Sequence, residues 1–372
     1  MATVAVLGAG NGGLAAAADL TLRGHTVRLF SRTPAPLDPV REAGGITLEG
    51  AAGSGLAVTE LLTTDLAAAV SGADLVMLVV PATALAPYAA LLAPHLTAGQ
   101  PVFLNPGGTG GALALHAALR AEGFRGELRI AEVSTLTYAC RTCGPAAVRI
   151  SNVAPRLPFA AFPGRAAAQL HELVAPLYPA VRRCGSVLET GLANLNAVEH
   201  PPQILLNTGW VEHTRGDFYF YYEGTTPSVG RVIDAVDRER LALAAALGAP
   251  AVRFVDAFRD AGYTTPEAAA TGSTYIAMQH SAANRWFRSP PSLDHRYVHE
   301  DVGHGLVPWT EWARLAGVPT PVMDGLVTLA GAATGRDYRR DGLTAARMGL
   351  AGIGTGGIVR FLDAGPAEVA VR

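Results

Sequence analysis

From Thr3 to about Cys184, short apolar runs alternate with alanine-rich stretches whose apolar positions recur at helical spacing. The runs at 4–7, 26–30, 75–80 and 102–104 hold few polar positions, the pattern of strands covered on both faces. Helical stretches at 14–23, 84–92 and 112–120 lie between them, which predicts a parallel, doubly wound α/β sheet. Shorter runs at 128–131 and 148–150 read as further strands of that sheet. After about Glu189 the alternation stops. The remaining candidates, 192–209, 228–247, 274–287, 308–315, 321–332 and 344–350, are helical in period, and the second begins on Thr226 as a cap with Pro227 in the first turn. The pattern therefore predicts an α/β domain over 1–188 and an all-α domain over 189–372, with no internal repeat or low-complexity linker.

The first strand runs directly into Gly8, Ala9, Gly10, Asn11, Gly12 and Gly13, and then into a helix. Strand, G-x-G-x-x-G and helix in this order form a dinucleotide-binding loop. Gly8 makes the tight turn, Gly10 admits a pyrophosphate, Gly13 allows close packing, and the helix N-terminus presents free N–H groups to the phosphates. The α/β half is accordingly expected to be a Rossmann domain binding a nicotinamide dinucleotide. The second strand should end beside the adenosine ribose, where an acid would bind the 2′-hydroxyl of NAD; the chain has Ser31 and Arg32 there. A hydroxyl and a guanidinium suit a 2′-phosphate, so NADP(H) is the favoured cofactor and NAD(H) the alternative. Asn105, Pro106 and Gly107 follow the strand at 102–104, at the sheet end where ligands bind, and are candidates for the same cofactor; Asn105 or Thr109 could equally serve as a helix cap.

Composition narrows the chemistry. The chain has 372 residues, 49% hydrophobic and 16% charged, with a net charge of −2, which excludes a disordered chain and offers no basic footprint for nucleic acid or an anionic membrane. All 29 basic residues are arginine. Without a lysine there is no internal aldimine, no phosphate-loop lysine and no lysine acid or base. Three cysteines, an N-terminus without a basic leader, and a long uncharged stretch broken by Pro81, Pro87 and Pro94 lead to the expectation of a cytoplasmic protein with no membrane span, with a homodimer left open. Cys140 and Cys143 form a C-x-x-C with no second pair for zinc.

Two later segments carry titratable groups. His200, after Asn194, Asn196 and Glu199, is followed by Pro201 and Pro202, which predicts a kink or helix start facing a cavity. The segment 294–304 holds Asp294, His295, Arg296, His299, Glu300, Asp301 and His304; flanking prolines and glycines argue against a helix there, and no metal site is expected because the H-E-x-x-H pattern is missing. The aromatic run 217–223 alternates as a strand with one packed face would.

Taken together, the glycine loop, Asn105-Pro-Gly, Asn196-Ala-Val-Glu-His200-Pro, the aromatic run with the following Thr226-Pro-Ser-Val-Gly, and Arg296-Tyr-Val-His-Glu-Asp301 resemble the octopine/nopaline (opine) dehydrogenases over nearly the whole chain. The resemblance implies a Rossmann domain followed by a helical domain of the kind shared with 6-phosphogluconate dehydrogenases. It also implies NAD(P)H-dependent reductive condensation of a 2-oxo acid with an amino acid. Within it, His200 matches the catalytic histidine, Asp301 its partner and Arg296 the arginine that would hold a substrate carboxylate, while Tyr219 or Tyr221 would lie near the amine. The alternative is a dehydrogenase interconverting a 2-oxo acid and a hydroxy acid without an amine. Architecturally related hydroxyacid, 6-phosphogluconate and ketopantoate enzymes rely on a catalytic lysine, which this chain lacks.

Overall fold

The computed structural model describes residues 1–354 and 357–366. It divides into two compact units, Met1–Thr190 joined by the C-terminal stretch that starts at Arg360, and Gly191–Val359.

The first unit is built on an eight-stranded sheet. The strands of the unit are β1 (Thr3–Leu7), β2 (Thr26–Phe30), β3 (Ile46–Gly50), β4 (Gly55–Ala57), β5 (Leu61–Thr63), β6 (Leu75–Leu78), β7 (Pro101–Leu104), β8 (Arg129–Val133), β9 (Tyr138–Gly144), β10 (Ala147–Val153), β11 (Leu157–Phe162) and β12 (Val181–Arg183). The main sheet has the order β12-β11-β8-β7-β6-β1-β2-β5. Its members are parallel from β8 through β5, as the sequence predicts, whereas β11 joins β8 antiparallel. The strands β1 and β6 are buried along nearly all their length, so the near-continuous apolar runs reflect cover on both faces. The run at 148–150 departs from expectation: it belongs to β10 in a separate sheet of order β4-β3-β10-β9, which packs against the first helix. Periodicity reports that a strand is covered, not which sheet covers it.

Helix α1 (Asn11–Leu22) follows β1, and its alanines at 15–18 are fully buried. Small side chains let its backbone lie close to both sheets. Helices α2 (Leu85–Leu92) and α3 (Gly111–Ala121) follow β6 and β7. Because β2 lies on one side of β1 and β6 on the other, the chain reverses direction across the sheet at the end of β1. A switch point of this kind opens a crevice at the strand ends.

The second unit is helical. The elements that matter are α4 (Leu195–Leu206), α5 (Pro227–Ala246), α6 (Thr274–Gln279), α7 (Arg296–Asp301), α8 (Val307–Ala316) and α9 (Pro321–Thr334). The long α5 begins as the sequence predicts, with the Thr226 hydroxyl accepting from Val229 N–H at 3.4 Å. It carries Arg240, fully buried, whose guanidinium donates to Asp237 Oδ1 and to the carbonyls of Leu192 and Val252, so its charge is neutralised and its donors are used.

Five local expectations are corrected. Pro201 and Pro202 lie inside α4 instead of marking a helix start, since tertiary packing on α5 and α7 holds the helix through the missing N–H groups. Residues 296–301 are helical despite the flanking glycines, and α7 runs through a π-helical turn, Val302–Leu306, directly into α8. The aromatic run forms a turn with one bridge, Tyr219 to Arg288, instead of a strand. Helix α6 stops at Gln279, and 344–350 is a series of turns.

Candidate active site

The nucleotide loop follows from three glycines. Gly8 has φ +112°, and a Cβ there would lie 2.6 Å from the Val79 carbonyl oxygen. A Cβ on Gly13 would lie 1.7 Å from the Gly8 carbonyl oxygen, so only glycine lets the helix start against the turn. Gly10 is different: a Cβ there meets no protein atom within 4 Å, and the space before the helix is open. Gly10 is also the cap of α1 and supplies no side chain to its first N–H groups. Open space at the positive end of a helix whose first donors lack a side-chain acceptor fits a pyrophosphate. Asn11 turns its side-chain oxygen to accept from Thr142 N–H at 2.9 Å, tying β9 to the loop. Gly12 abuts Leu136 and Val79.

At the end of β2, Ser31 is buried and accepts from Thr33 N–H at 3.4 Å, while Arg32 is exposed with its guanidinium 5.5 Å from the Tyr88 ring centre. That stacking holds the cation at the strand end, and among the described residues no carboxylate pairs with it. The side chain of Asn105 is fully buried, its oxygen accepting from Thr137 N–H and Oγ1, both at 3.0 Å. The Asn105–Pro106 peptide is cis, and Gly107 N–H donates to Val133. Glu132, which the sequence gives no reason to single out, sits under this turn. It accepts from Ala112 N–H at 2.7 Å, in the first turn of α3, and from the Thr190 hydroxyl at 2.5 Å, and burial pushes its carboxyl up to about 7.

The second constellation lies within the helical unit. His200 on α4 and Asp301 at the end of α7 are both almost fully buried, and His200 Nδ1 donates to Asp301 Oδ2 at 2.7 Å. Gly305 makes this pairing accessible to the backbone: a Cβ there would lie 2.7 Å from the Ala197 Cβ, so the π-helical turn approaches α4 only because glycine stands at that position. The other imidazole nitrogen, Nε2, is 2.9 Å from the Tyr221 hydroxyl, which lies 3.1 Å from the Tyr297 hydroxyl. The Tyr297 ring stacks on the imidazole at 3.7 Å. Burial pushes the Tyr221 and Tyr297 hydroxyls up, so both stay protonated at neutral pH and can donate. With Nδ1–H committed to the carboxylate, neutral His200 accepts at Nε2, and the imidazolium donates there. Tyr221 was reachable from the aromatic run; Tyr297 carries no sequence signal beyond its place between Arg296 and Asp301.

Arg296 is exposed and forms an ion pair with Glu300 at 3.0 Å, one turn along α7. Another histidine pairing stands on the same helix: His299 Nδ1 lies 2.7 Å from the Tyr338 hydroxyl and Nε2 2.8 Å from Asp294. Among the described residues no cluster of three or more His, Cys, Asp or Glu could hold a metal.

Comparisons with known proteins agree across both units. Residues 183–334 match the family described as NAD/NADP octopine/nopaline dehydrogenase, alpha-helical domain, and residues 3–108 match the N-terminus of NAD-dependent glycerol-3-phosphate dehydrogenase. The chain is 36% identical over 356 residues to opine dehydrogenase of Arthrobacter sp. (strain 1C), covering 96% of this chain and 97% of that one. It is 27% identical to vitopine synthase of Allorhizobium ampelinum, over 98% and 99% of the two chains. Among solved structures, octopine dehydrogenase with NADH and L-arginine superposes with a TM-score of 0.78 at 20% identity, over 96% and 98% of the chains. Yersinopine dehydrogenase with NADP+ gives 0.71 at 17%, over 98% of each.

Proposed function

From its membership of the octopine/nopaline (opine) dehydrogenase family, to which this chain belongs, we infer that it couples NAD(P)H oxidation to the reductive condensation of a 2-oxo acid with the amine of an amino acid. The product is a secondary amine dicarboxylate. What carries the reading beyond family membership is the buried hydrogen bond between His200 and Asp301.

The glycine loop from Gly8 to Gly13 would hold the pyrophosphate, and Ser31 and Arg32 the adenosine ribose. When bound, the nicotinamide supplies the hydride that reduces the imine carbon. Asp301 holds Nδ1–H and orients the imidazole, leaving Nε2 as the nitrogen that gives or takes a proton, with Tyr221 keeping it hydrogen-bonded. Arg296 is assigned to the oxo-acid carboxylate, which would have to compete with Glu300 for the guanidinium. The lack of an acid after β2 and the stacking of Arg32 on Tyr88 support NADP(H) over NAD(H). Three free cysteines suit a reducing cytoplasm.

A matrix of 2-oxo acids against amino acids, read by NADPH loss and product mass, tests the reaction. The expected result is oxidation that depends on both substrates and a product that retains the amine nitrogen. Rapid oxidation with an oxo acid alone, giving a hydroxy acid, would decide for the simpler dehydrogenase.

A further inference from the structure

Glu199 precedes His200 on α4, and nothing in the reaction scheme above uses it. Its carboxyl is almost fully buried, with Oε1 3.7 Å from His200 Nε2, the nitrogen that faces away from Asp301 and also meets the Tyr221 hydroxyl at 2.9 Å. Its other oxygen, Oε2, is buried with no hydrogen-bond partner among the described residues. A buried carboxyl oxygen left without a hydrogen-bond partner costs stability.

Among the described residues no arginine compensates it. On α5 the buried Arg240 is used by Asp237 and two carbonyls. Asp324 on α9 pairs with Arg339, and Asp256 on the helix Phe254–Asp260 pairs with Arg253 and Arg259. Glu212 and His213 on Thr208–Thr214 are exposed. His304, in the π-helical turn, is held neutral by burial, its pKa lowered to about 4. The groups that bear on Glu199 are His200, which favours its charged form, and Asp301, which opposes it; Tyr221, Tyr297 and Tyr263 feel its charge. Burial dominates and pushes the carboxyl up to about 7.

We propose that Glu199 is a positioning residue for the acid–base pair, a buried carboxyl that exchanges a proton with His200 Nε2 and gives the site a second place to store it. The proposal rests on the acid–base reading of His200. In the exchange the Nε2–H bond breaks and an Oε1–H bond forms, the electron pair remaining on nitrogen. Imidazolium and carboxylate become imidazole and carboxylic acid, with no change in total charge. Reductive condensation needs two protonations, one on the oxygen that leaves as water and one on the nitrogen of the reduced product. One imidazole holds one such proton at a time; from a starting state of imidazolium and carboxylic acid, Nε2 gives the first, and the exchange run in reverse then returns the carboxyl's proton to Nε2 for the second.

The test uses the full chain and its Glu199→Gln and His200→Asn variants, compared by infrared difference spectroscopy and by the pH profile of kcat. The expected spectrum of the parent has a carboxylic-acid C=O band that disappears as pH rises through about 7 and is missing in Glu199→Gln. Glu132 contributes a second band, distinguished by surviving that substitution. In His200→Asn the Glu199 band should persist to higher pH, because the imidazolium that favours the carboxylate is gone. Glu199→Gln should lower kcat about tenfold, erase one inflection of its pH profile and leave KM for NADPH unchanged. A Glu199 band indifferent to the His200 substitution, or a parental pH profile in Glu199→Gln, overturns the proposal. Near-normal turnover of His200→Asn overturns the acid–base reading as well and is read separately from the band.

Discussion

At the scale of single residues the chemistry depends on which atoms are already engaged. His200 has both nitrogens occupied, one by Asp301 and one by Tyr221, so its tautomer is set before substrate arrives. His200→Ala and Asp301→Asn should each lower kcat by at least about 100-fold with NADPH affinity nearly unchanged, and the double variant should lose little more than either single one. Steady-state kinetics with cofactor binding by fluorescence checks this. Arg32 is held by the Tyr88 side chain, and among the described residues no carboxylate pairs with it, so a 2′-phosphate would meet no competing acid. Arg32→Ala should erase most of a preference for NADPH of about one to two orders of magnitude in kcat/KM, each tenfold being about 1.4 kcal/mol. Equal efficiency of the parent with NADH and NADPH would remove the argument from Ser31 and Arg32.

At the scale of elements, the junction of β1 with α1 separates what the fold needs from what the ligand needs. Gly13→Ala forces a Cβ against the Gly8 carbonyl and should destabilise the nucleotide unit, whereas Gly10→Ala meets open space and should fold as the parent does. The expected contrast is a lowered Tm for the first and, for the second, an unchanged Tm with weakened NADPH binding. The start of α3 supplies a pH test. Glu132 is pushed up to about 7 by burial, so the native state binds its proton more tightly than the unfolded chain and this group's contribution to stability falls as pH rises from about 4.5 to about 7. Buried His116, with its pKa lowered to about 4, acts in the opposite direction over the overlapping range, becoming more favourable as pH rises. The clean observable is therefore a difference. Glu132→Gln should gain on the parent by up to about 1.4 kcal/mol per pH unit across that window, measured by denaturant unfolding.

For the whole molecule, the chain's end contributes to the unit where the chain began. The helix Ile358–Ala364 brings Phe361 to 5.3 Å from Phe162, and Asp363 lies against Gly164. Truncation before Ile358 would uncover Phe162, which is fully buried, and should lower the Tm of the nucleotide unit while leaving the helical unit's fold intact. Circular dichroism with limited proteolysis distinguishes the two. The absence of lysine also belongs to this scale, since no lysine-dependent mechanism is available anywhere in the chain.

Much of this was legible in the sequence because it depends on local order. A strand, three glycines at fixed spacing and an alanine-rich helix specify the nucleotide loop within a few residues of one another, and Ser31 and Arg32 follow β2 directly. His200, Arg296 and Asp301 could be named because motif segments keep their internal spacing. What the sequence could not supply is which separated residues meet. His200 and Asp301 are 101 positions apart and are joined by a glycine-enabled approach of two helices; Tyr221 reaches the imidazole from a turn that alternation presents as a strand. Helix persistence through Pro201 and Pro202, the separate sheet that takes β10, and the burial that raises Glu132 and Glu199 share one cause. Each is set by neighbours distant in the chain, whose packing outweighs local propensity and whose exclusion of water, not the residue type, fixes the proton affinity of a carboxyl.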